Sequence, residues 1–319
     1  MQNFITKIMS FISLDFFLLI FFWALFNVFY AQTVKALPEN KSEKVVSVAL
    51  KGNSSLQNQD ELKKMLKEDY SLFIKELGAN INDPKFLAVL KSGDHALDKV
   101  VFDHDISYKA SELIPTQNEI DVEKSLKYPL AKEKPEVLVG YLTSKTGFDE
   151  KGQPFSPGGP IVTAGGKYII DGHHRWSQLY LINPNARIKA LNIRIDDPVM
   201  ALKIVQLAIG SISQKIPTSL VEGKNLLSMT KADFDKWIRE NIAQKAINAF
   251  GAAGMLGSSE NYDSEKSKQI IIDYIWQNAQ KMRKENSPIK NAQNRGLMPQ
   301  TDNAKGWSDL LQEGAIDIR

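Results

Sequence analysis

Hydrophobic positions repeat at helical spacing in both flanks of the chain and form short β-rich runs in its middle. Residues 61–77 place apolar side chains three or four positions apart, and Gly78 follows as a stop signal. The pair Asp83-Pro84 opens another helical segment. The helical spacing returns in residues 198–212, 231–250 and 266–284. Both flanks are therefore predicted to be helical.

The middle of the chain is predicted to be a compact α+β unit. Two β-rich runs, residues 160–163 and 167–170, are joined by Ala164-Gly165-Gly166, which is typical of a hairpin turn. Asp171-Gly172 follows and leads directly into a predicted helix over residues 173–182. Residues 189–195 predict one more strand. This order of strands and helix places the chain in the α+β class.

The N-terminal segment predicts export. Residues 16–31 are almost entirely apolar, which is short for a membrane-spanning helix of about 20 residues but suits the apolar region of a secretory signal. Val34-Lys35-Ala36 offers a cleavage site. The expected location is therefore the periplasm or the extracellular medium. The alternative is an uncleaved membrane anchor through residues 16–31, and the flanking lysines do not decide between the two.

These patterns divide the chain into four parts. Residues 1–36 are the signal or anchor, residues 37–106 a linker and N-terminal helical region, residues 107–197 the α+β domain, and residues 198–319 a C-terminal helical region.

The composition narrows the classes of function that the chain can have. The 40 Lys and Arg residues against 37 Asp and Glu give a net charge of only +3, which is no sign of a duplex-DNA binder. The absence of cysteine excludes thiol catalysis and Cys-ligated zinc.

The stretch KYIIDGHHRWSQ, residues 167–178, carries the candidate chemistry. A predicted strand ends at Asp171, Gly172 permits a tight turn, and free amide groups at the start of the next helix favour an anion. His173, His174 and Arg175 add donors to the same first turn. The pattern equally fits a structural turn in which Asp171 caps the helix and one histidine is packed. No metal site is predicted, because adjacent histidines on a helix diverge by about 100°.

The residues Gly158-Gly159-Pro160-Ile161-Val162, the hairpin and then Asp171-Gly172-His173-His174-Arg175 resemble the ParB/sulfiredoxin superfamily. The resemblance covers about residues 107–197. It implies a small mixed-sheet domain flanked by helical regions. The D-G-H-H-R form is similar to the small-molecule kinase branch. Without a cysteine, sulfiredoxin chemistry is excluded, and the helices after Pro198 show no basic recognition helix of the ParB kind.

The resemblance also implies roles for particular residues. Gly172, His173, His174 and Arg175 match the phosphate-binding turn, and Gln117 belongs to the upstream loop that completes the pocket. Glu119 of that loop is the candidate catalytic base. The residues themselves add Asp171 as a second candidate carboxylate, and His174 as a group that can donate or accept a proton near neutral pH. The implied cofactor is ATP or another nucleotide with Mg²⁺, and the implied partner is a small molecule.

The function expected from these observations is a nucleotide-dependent phosphotransferase or nucleotide hydrolase. An exported enzyme would lack ATP, whereas an anchored domain on the cytoplasmic side would not. Two alternatives remain open, a non-catalytic ligand-binding or interaction module and a ParB-like nuclease. Residues 295–302 and Trp307 form a polar and aromatic cluster that fits either a docked segment or a lid over the site. Trp176 fits either the core or a stacking contact with a base.

Overall fold

The computed structural model describes residues 56, 58–92, 99–216, 223–257, 264–316 and 318. These residues belong to one compact unit. The predicted signal or anchor, residues 1–36, lies outside the described residues, as does most of the predicted linker. Within the described ranges, no helix combines the length and the apolar character needed to cross a bilayer.

A mixed sheet forms the centre of the fold. Its strands are β1 (Phe102–Lys109), β2 (Ile114–Pro115), β3 (Ile161–Ala164), β4 (Tyr168–Asp171) and β5 (Arg187–Ile193). Their order in space is β1-β5-β3-β4-β2. The pairs β1–β5 and β3–β4 are antiparallel, whereas β5–β3 and β4–β2 are parallel. The predicted hairpin is confirmed, with Gly165 and Gly166 both at positive φ in its turn. The predicted α+β class is confirmed as well.

Helices flank the sheet. The α-helices of the described residues are α1 (Gln59–Lys67), α2 (Tyr70–Asn80), α3 (Pro84–Leu90), α4 (Val122–Lys127), α5 (Pro135–Thr143), α6 (His173–Ile182), α7 (Pro198–Ser213), α8 (Lys231–Asn241), α9 (Gln244–Ala252), α10 (Glu265–Glu285) and α11 (Trp307–Gln312). Helix α6 follows β4 after one residue, as the sequence predicts. Helices α7 and α10 also match their predicted ranges closely.

The sheet separates two hydrophobic cores, because successive side chains of a strand point to opposite faces. In β4, Ile169 belongs to the first core and Ile170 to the second. Helices α6, α8, α9 and α10 pack into the first core. Helices α1, α2, α3 and α7 pack into the second, together with Met298 and Trp307. Residues from both flanks therefore complete the cores that cover the sheet.

Two of the predicted helices are each split into two in the structure. Residues 61–77 form parts of α1 and α2, and α2 begins after Asp69, whose side chain accepts from the Leu72 amide at 2.9 Å. Residues 231–250 form α8 and α9, since Ile242 and Ala243 have extended backbone. The Ala243 amide donates to the Leu130 carbonyl at 2.9 Å. This second break is accompanied by a tertiary hydrogen bond. Neither glycine nor proline marks the break in the sequence.

Candidate functional site

The turn between β4 and α6 requires glycine at position 172. Gly172 has φ 89° and ψ 24°, a left-handed conformation that costs an L side chain energy. A Cβ atom there would lie 2.6 Å from Ile161 Cγ2. The first hydrogen bond of α6 runs from the Trp176 amide to the Gly172 carbonyl, at 3.0 Å. The amides of residues 173–175 come before it in the chain and therefore have no acceptor in the preceding turn of the helix. Such amides and the helix dipole favour an anion at the start of α6.

Asp171 does not cap α6, because Gly172 occupies the N-cap position. Asp171 is instead the last residue of β4. Its Oδ1 accepts from the Gly172 amide at 2.7 Å, and its Oδ2 accepts from the Thr301 hydroxyl. The predicted cap is therefore wrong, and the carboxylate holds the glycine turn and the segment after residue 300 together.

Arg175 folds back over the turn. Its Nη1 donates to the Gly158 carbonyl at 3.2 Å, and its Nη2 lies 3.6 Å from Asp171 Oδ2. Both side chains keep about a fifth of their surface exposed, 19% for Arg175 and 20% for Asp171. Gly159, at φ 109°, lies against the same guanidinium, since a Cβ there would be 3.5 Å from Arg175 Nη1. The guanidinium of Arg175 thus lies against the glycine turn at the start of α6 and remains partly exposed to solvent.

The two histidines connect α6 to the loop of residues 116–121 through hydrogen bonds. His173 is buried, and its Nε2 accepts from the Thr116 amide at 3.1 Å. His174 Nε2 accepts from the Asp121 amide at 3.2 Å. Burial, with a smaller contribution from His174, holds the pKa of His173 well below its usual range. Burial, with the charges of Arg295 and Lys124, lowers the pKa of His174 to about 3. Both imidazoles are therefore neutral at pH 7, with the proton on Nδ1.

We expect the free energy of unfolding to fall as the pH is lowered from 7 to 5. The unfolded chain protonates these histidines near their ordinary pKa, whereas the folded protein keeps them neutral to a lower pH. The stability is therefore complete above about pH 6.5 and is lost on acidification, by up to about 1.4 kcal/mol per pH unit for each histidine. In H174Q, whose amide oxygen can accept from the Asp121 amide, urea unfolding between pH 7 and 5 should show a shallower slope. An unchanged slope would contradict the role given to His174.

A buried ion-pair cluster lies beside the first turn of α6. Arg295 Nη1 donates to Glu119 Oε1 at 3.1 Å and to Asp121 Oδ2 at 3.0 Å. The side chains of Arg295 and Asp121 are 7% and 5% exposed, whereas that of Glu119 is 26% exposed. Gln117 is buried, and its amide donates to the Glu119 carbonyl. Among the predicted residues of the loop, Glu119 is thus the one that solvent reaches.

The segment after α10 forms one wall of the site. The Gln293 amide donates to the Thr116 carbonyl at 2.8 Å, and the Asn118 amide donates to the Gln293 carbonyl at 2.9 Å. Further along, Met298 is buried in the second core, and the Leu297 carbonyl accepts from the Tyr70 hydroxyl at 2.9 Å. These contacts are those of a docked segment, which is one of the two arrangements that the sequence left open.

The structure thus brings all the predicted site residues to one region around the start of α6. Sequence reasoning did not assign site contacts to Thr116 or Asp121, and it placed Arg295 and Thr301 only in a segment that would dock or cover the site. Asp121 had a local signal, since an acidic residue before a helical run is a typical N-cap, and it accepts from the Glu123 amide at 2.8 Å. Trp176 is fully buried, and its Nε1 donates to the Ala110 carbonyl at 2.8 Å. It therefore belongs to the core and not to a base-stacking surface.

The donor set of the site fits phosphate groups better than it fits a directly bound metal. The described residues contain no group of three or more His, Asp or Glu side chains arranged to hold a metal ion. The left-handed glycine and the start of α6, next to Arg175, match the requirements of a phosphate. A Mg²⁺ ion carried by a nucleotide needs only one or two carboxylates, and Asp171 could supply one.

Comparisons of the chain with models of protein families, with curated proteins and with solved structures found no match. The chemistry of the site therefore rests on the geometry of its own residues.

Proposed function

We propose that this protein binds the phosphate groups of a nucleotide at the turn of residues 171–175 and acts as a phosphotransferase or nucleotide hydrolase on a small molecule. The observation that carries the proposal is the left-handed Gly172 at the start of α6, beside the guanidinium of Arg175. The resemblance to the ParB/sulfiredoxin superfamily, in its small-molecule kinase branch, points to the same chemistry.

Phosphates would bind at the α6 start through two kinds of donor. The amides of residues 173–175 provide directed N–H groups, and the guanidinium of Arg175 adds a full positive charge. Because Arg175 already contacts the Gly158 carbonyl and the Asp171 carboxylate, its position is fixed before a ligand arrives. This preorganisation lowers the entropy lost on binding.

The charges of the site explain why Mg²⁺ belongs to the proposal. The carboxylates of Asp171, Glu119 and Asp121 contact the guanidinium groups of Arg175 and Arg295, and Lys124 adds positive charge near His174. Both histidines are neutral. The phosphates of a nucleotide would bring further negative charge next to these carboxylates. A divalent cation bound with the nucleotide offsets this repulsion and stabilises charge on the transferred phosphoryl group.

Glu119 is the proposed base. Phosphoryl transfer moves the terminal phosphoryl group of the nucleotide to an acceptor oxygen, and the acceptor hydroxyl or water loses its proton. Glu119 is the most exposed carboxylate of the site and can take up that proton. Asp171 is the second candidate, but its two oxygens already accept from the Gly172 amide and the Thr301 hydroxyl.

The test is calorimetric titration of the full chain with ATP, ADP and CTP in the presence of Mg²⁺, with R175A and R239A compared in parallel. We expect micromolar binding of at least one nucleotide and a loss of about 10-fold or more in R175A, because hydrogen bonds to charged groups contribute about 1.5–3 kcal/mol. Arg239 is the matched control, since its guanidinium bridges Glu265 and Gln269 between α8 and α10. If the wild-type protein binds no nucleotide, the proposed function is wrong.

A non-catalytic binding module is the second candidate function. It is favoured by one observation, that Glu119 and Asp171 are already engaged by Arg295 and Thr301. E119Q distinguishes the two functions. For an enzyme, we expect E119Q to bind nucleotide as the wild type does and to lose most of the ADP release measured with candidate acceptors. For a binding module, neither protein turns nucleotide over.

A further inference from the structure

We propose that Arg295 is a second binding residue for the anionic ligand and donates to it from Nη2. This inference rests on the proposed function, since it assigns one more contact to the same phosphate group or to its neighbour in the chain of phosphates. The ligand class that it implies is an oxyanion with acceptor atoms for two guanidinium groups, such as a di- or triphosphate.

The first observation is an unsatisfied donor. Arg295 is 92% buried, since its relative exposure is 8%, and its Nη1 is fully engaged by Glu119 and Asp121. Its Nη2 is buried and has no hydrogen-bond partner among the described residues. Buried polar atoms are nearly always paired, so an unpaired guanidinium nitrogen marks a place where an acceptor is missing. An oxygen of a bound phosphate would be such an acceptor.

The second observation is the position of Arg295 against α6. Its positive charge contributes to lowering the pKa of His174, which lies in the first turn of that helix. Its partner Asp121 donates its amide to His174 at 3.2 Å. The guanidinium therefore lies near the first turn of α6, where the phosphates bind in the proposed function. Two independent features, the amides of α6 and Nη2 of Arg295, offer donors to the oxygens of an anion.

The third observation is the rigidity of the side chain. Two carboxylates accept from Nη1, and backbone hydrogen bonds connect residue 293 to residues 116 and 118. A planar guanidinium held in this way keeps Nη2 in one direction. Glu119 is the more exposed of the two partners, at 26% against 5%, so a ligand reaches the cluster from its side. Lysine cannot supply this second directed nitrogen.

The decisive variant is R295K, measured against wild-type protein, R175A and R239K, with ATP–Mg²⁺ and inorganic pyrophosphate as probes. An ammonium group keeps one positive charge next to Glu119 and Asp121 but lacks Nη2. We expect R295K to melt within a few degrees of the wild type and to bind both probes about 10-fold more weakly. R239K replaces an arginine that bridges two side chains elsewhere, and we expect it to bind normally.

The outcomes separate this inference from the proposed function. If wild type and R295K bind the probes equally while R175A does not, the Arg295 contact is wrong and the proposed function stands. If the wild type binds neither probe, both are wrong.

A second measurement on the wild-type protein keeps the test valid if R295K does not fold. With ¹⁵N-labelled arginine, pyrophosphate should shift two guanidinium signals, of which one is missing from the spectrum of R175A. A shift of that one signal alone would overturn the Arg295 contact.

Discussion

Replacing Trp176 with alanine is expected to lower the free energy of unfolding by about 3–5 kcal/mol, because truncation of a fully buried indole leaves a large cavity. The side chain is fully buried and packs edge-on against Tyr180, with ring centroids 5.5 Å apart. Its Nε1 also donates to the Ala110 carbonyl at 2.8 Å, and alanine would leave that carbonyl without this donor. Both losses would destabilise α6, the helix whose first turn forms part of the candidate site.

Urea unfolding at pH 7 would measure the effect, with Trp276→Ala as the matched control. Trp276 is half-buried, and the Arg283 guanidinium lies 4.7 Å from its ring centroid. Its removal should cost clearly less than that of Trp176. The variant W176F separates the loss of packing from the loss of the hydrogen bond, since it keeps a ring in the core but lacks the donor to the Ala110 carbonyl. Equal losses in W176A and W276A would show that the packing beneath α6 has been misjudged.

Replacing Gly172 with alanine is the second change with a large expected effect. A left-handed conformation costs an L residue about 1–2 kcal/mol, and a forced shift of packed atoms adds about 1–3 kcal/mol. The added methyl group would lie 2.6 Å from Ile161 Cγ2 and 3.0 Å from Arg175 Nε. Either α6 or Arg175 must then move. We therefore expect G172A to lose stability and to bind nucleotide at least 10-fold more weakly, if the proposed function is right.

Gly152 provides the control for backbone strain alone. It has φ 73°, and a Cβ atom at that position would meet nothing within 4 Å. G152A should therefore lose only the conformational part, about 1–2 kcal/mol, and keep the ligand affinity of the wild type. The comparison uses thermal unfolding and calorimetry on the same samples. If G172A is as stable as G152A, the contact with Ile161 does not constrain the turn.

The sequence predicts the elements of this site better than it predicts their contacts. The hairpin, the left-handed glycine turn and α6 all have local signals, because the pair Gly165-Gly166, the single Gly172 and the change from β to helical spacing lie within residues 160–182. The ion pairs of Arg295 have none. Its partners Glu119 and Asp121 lie 176 and 174 residues away, and nothing near Arg295 specifies them.

The same distinction explains the misplaced cap. Asp171 stands before a predicted helix, which is the usual signal for an N-cap. In the structure Gly172 occupies the N-cap position, and the Asp171 carboxylate accepts from Thr301, which lies 130 residues further along the chain. A tertiary contact thus assigns the carboxylate another role, and only the fold shows it. The break between α8 and α9 has a similar origin in the contact of Ala243 with Leu130.

The long sequence separations within the site also set the order of folding events. The hairpin of β3 and β4 and the start of α6 close short loops, whereas the contacts of Thr301 and Arg295 close loops of 130 residues or more. The entropy cost of loop closure grows with loop length, so such contacts form late unless other packing has already brought the segments together. The cluster at the start of α6 should therefore be among the last parts of the molecule to assemble during refolding. A ligand that needs Arg295 would bind only after this step, and its binding would report completion of the native state.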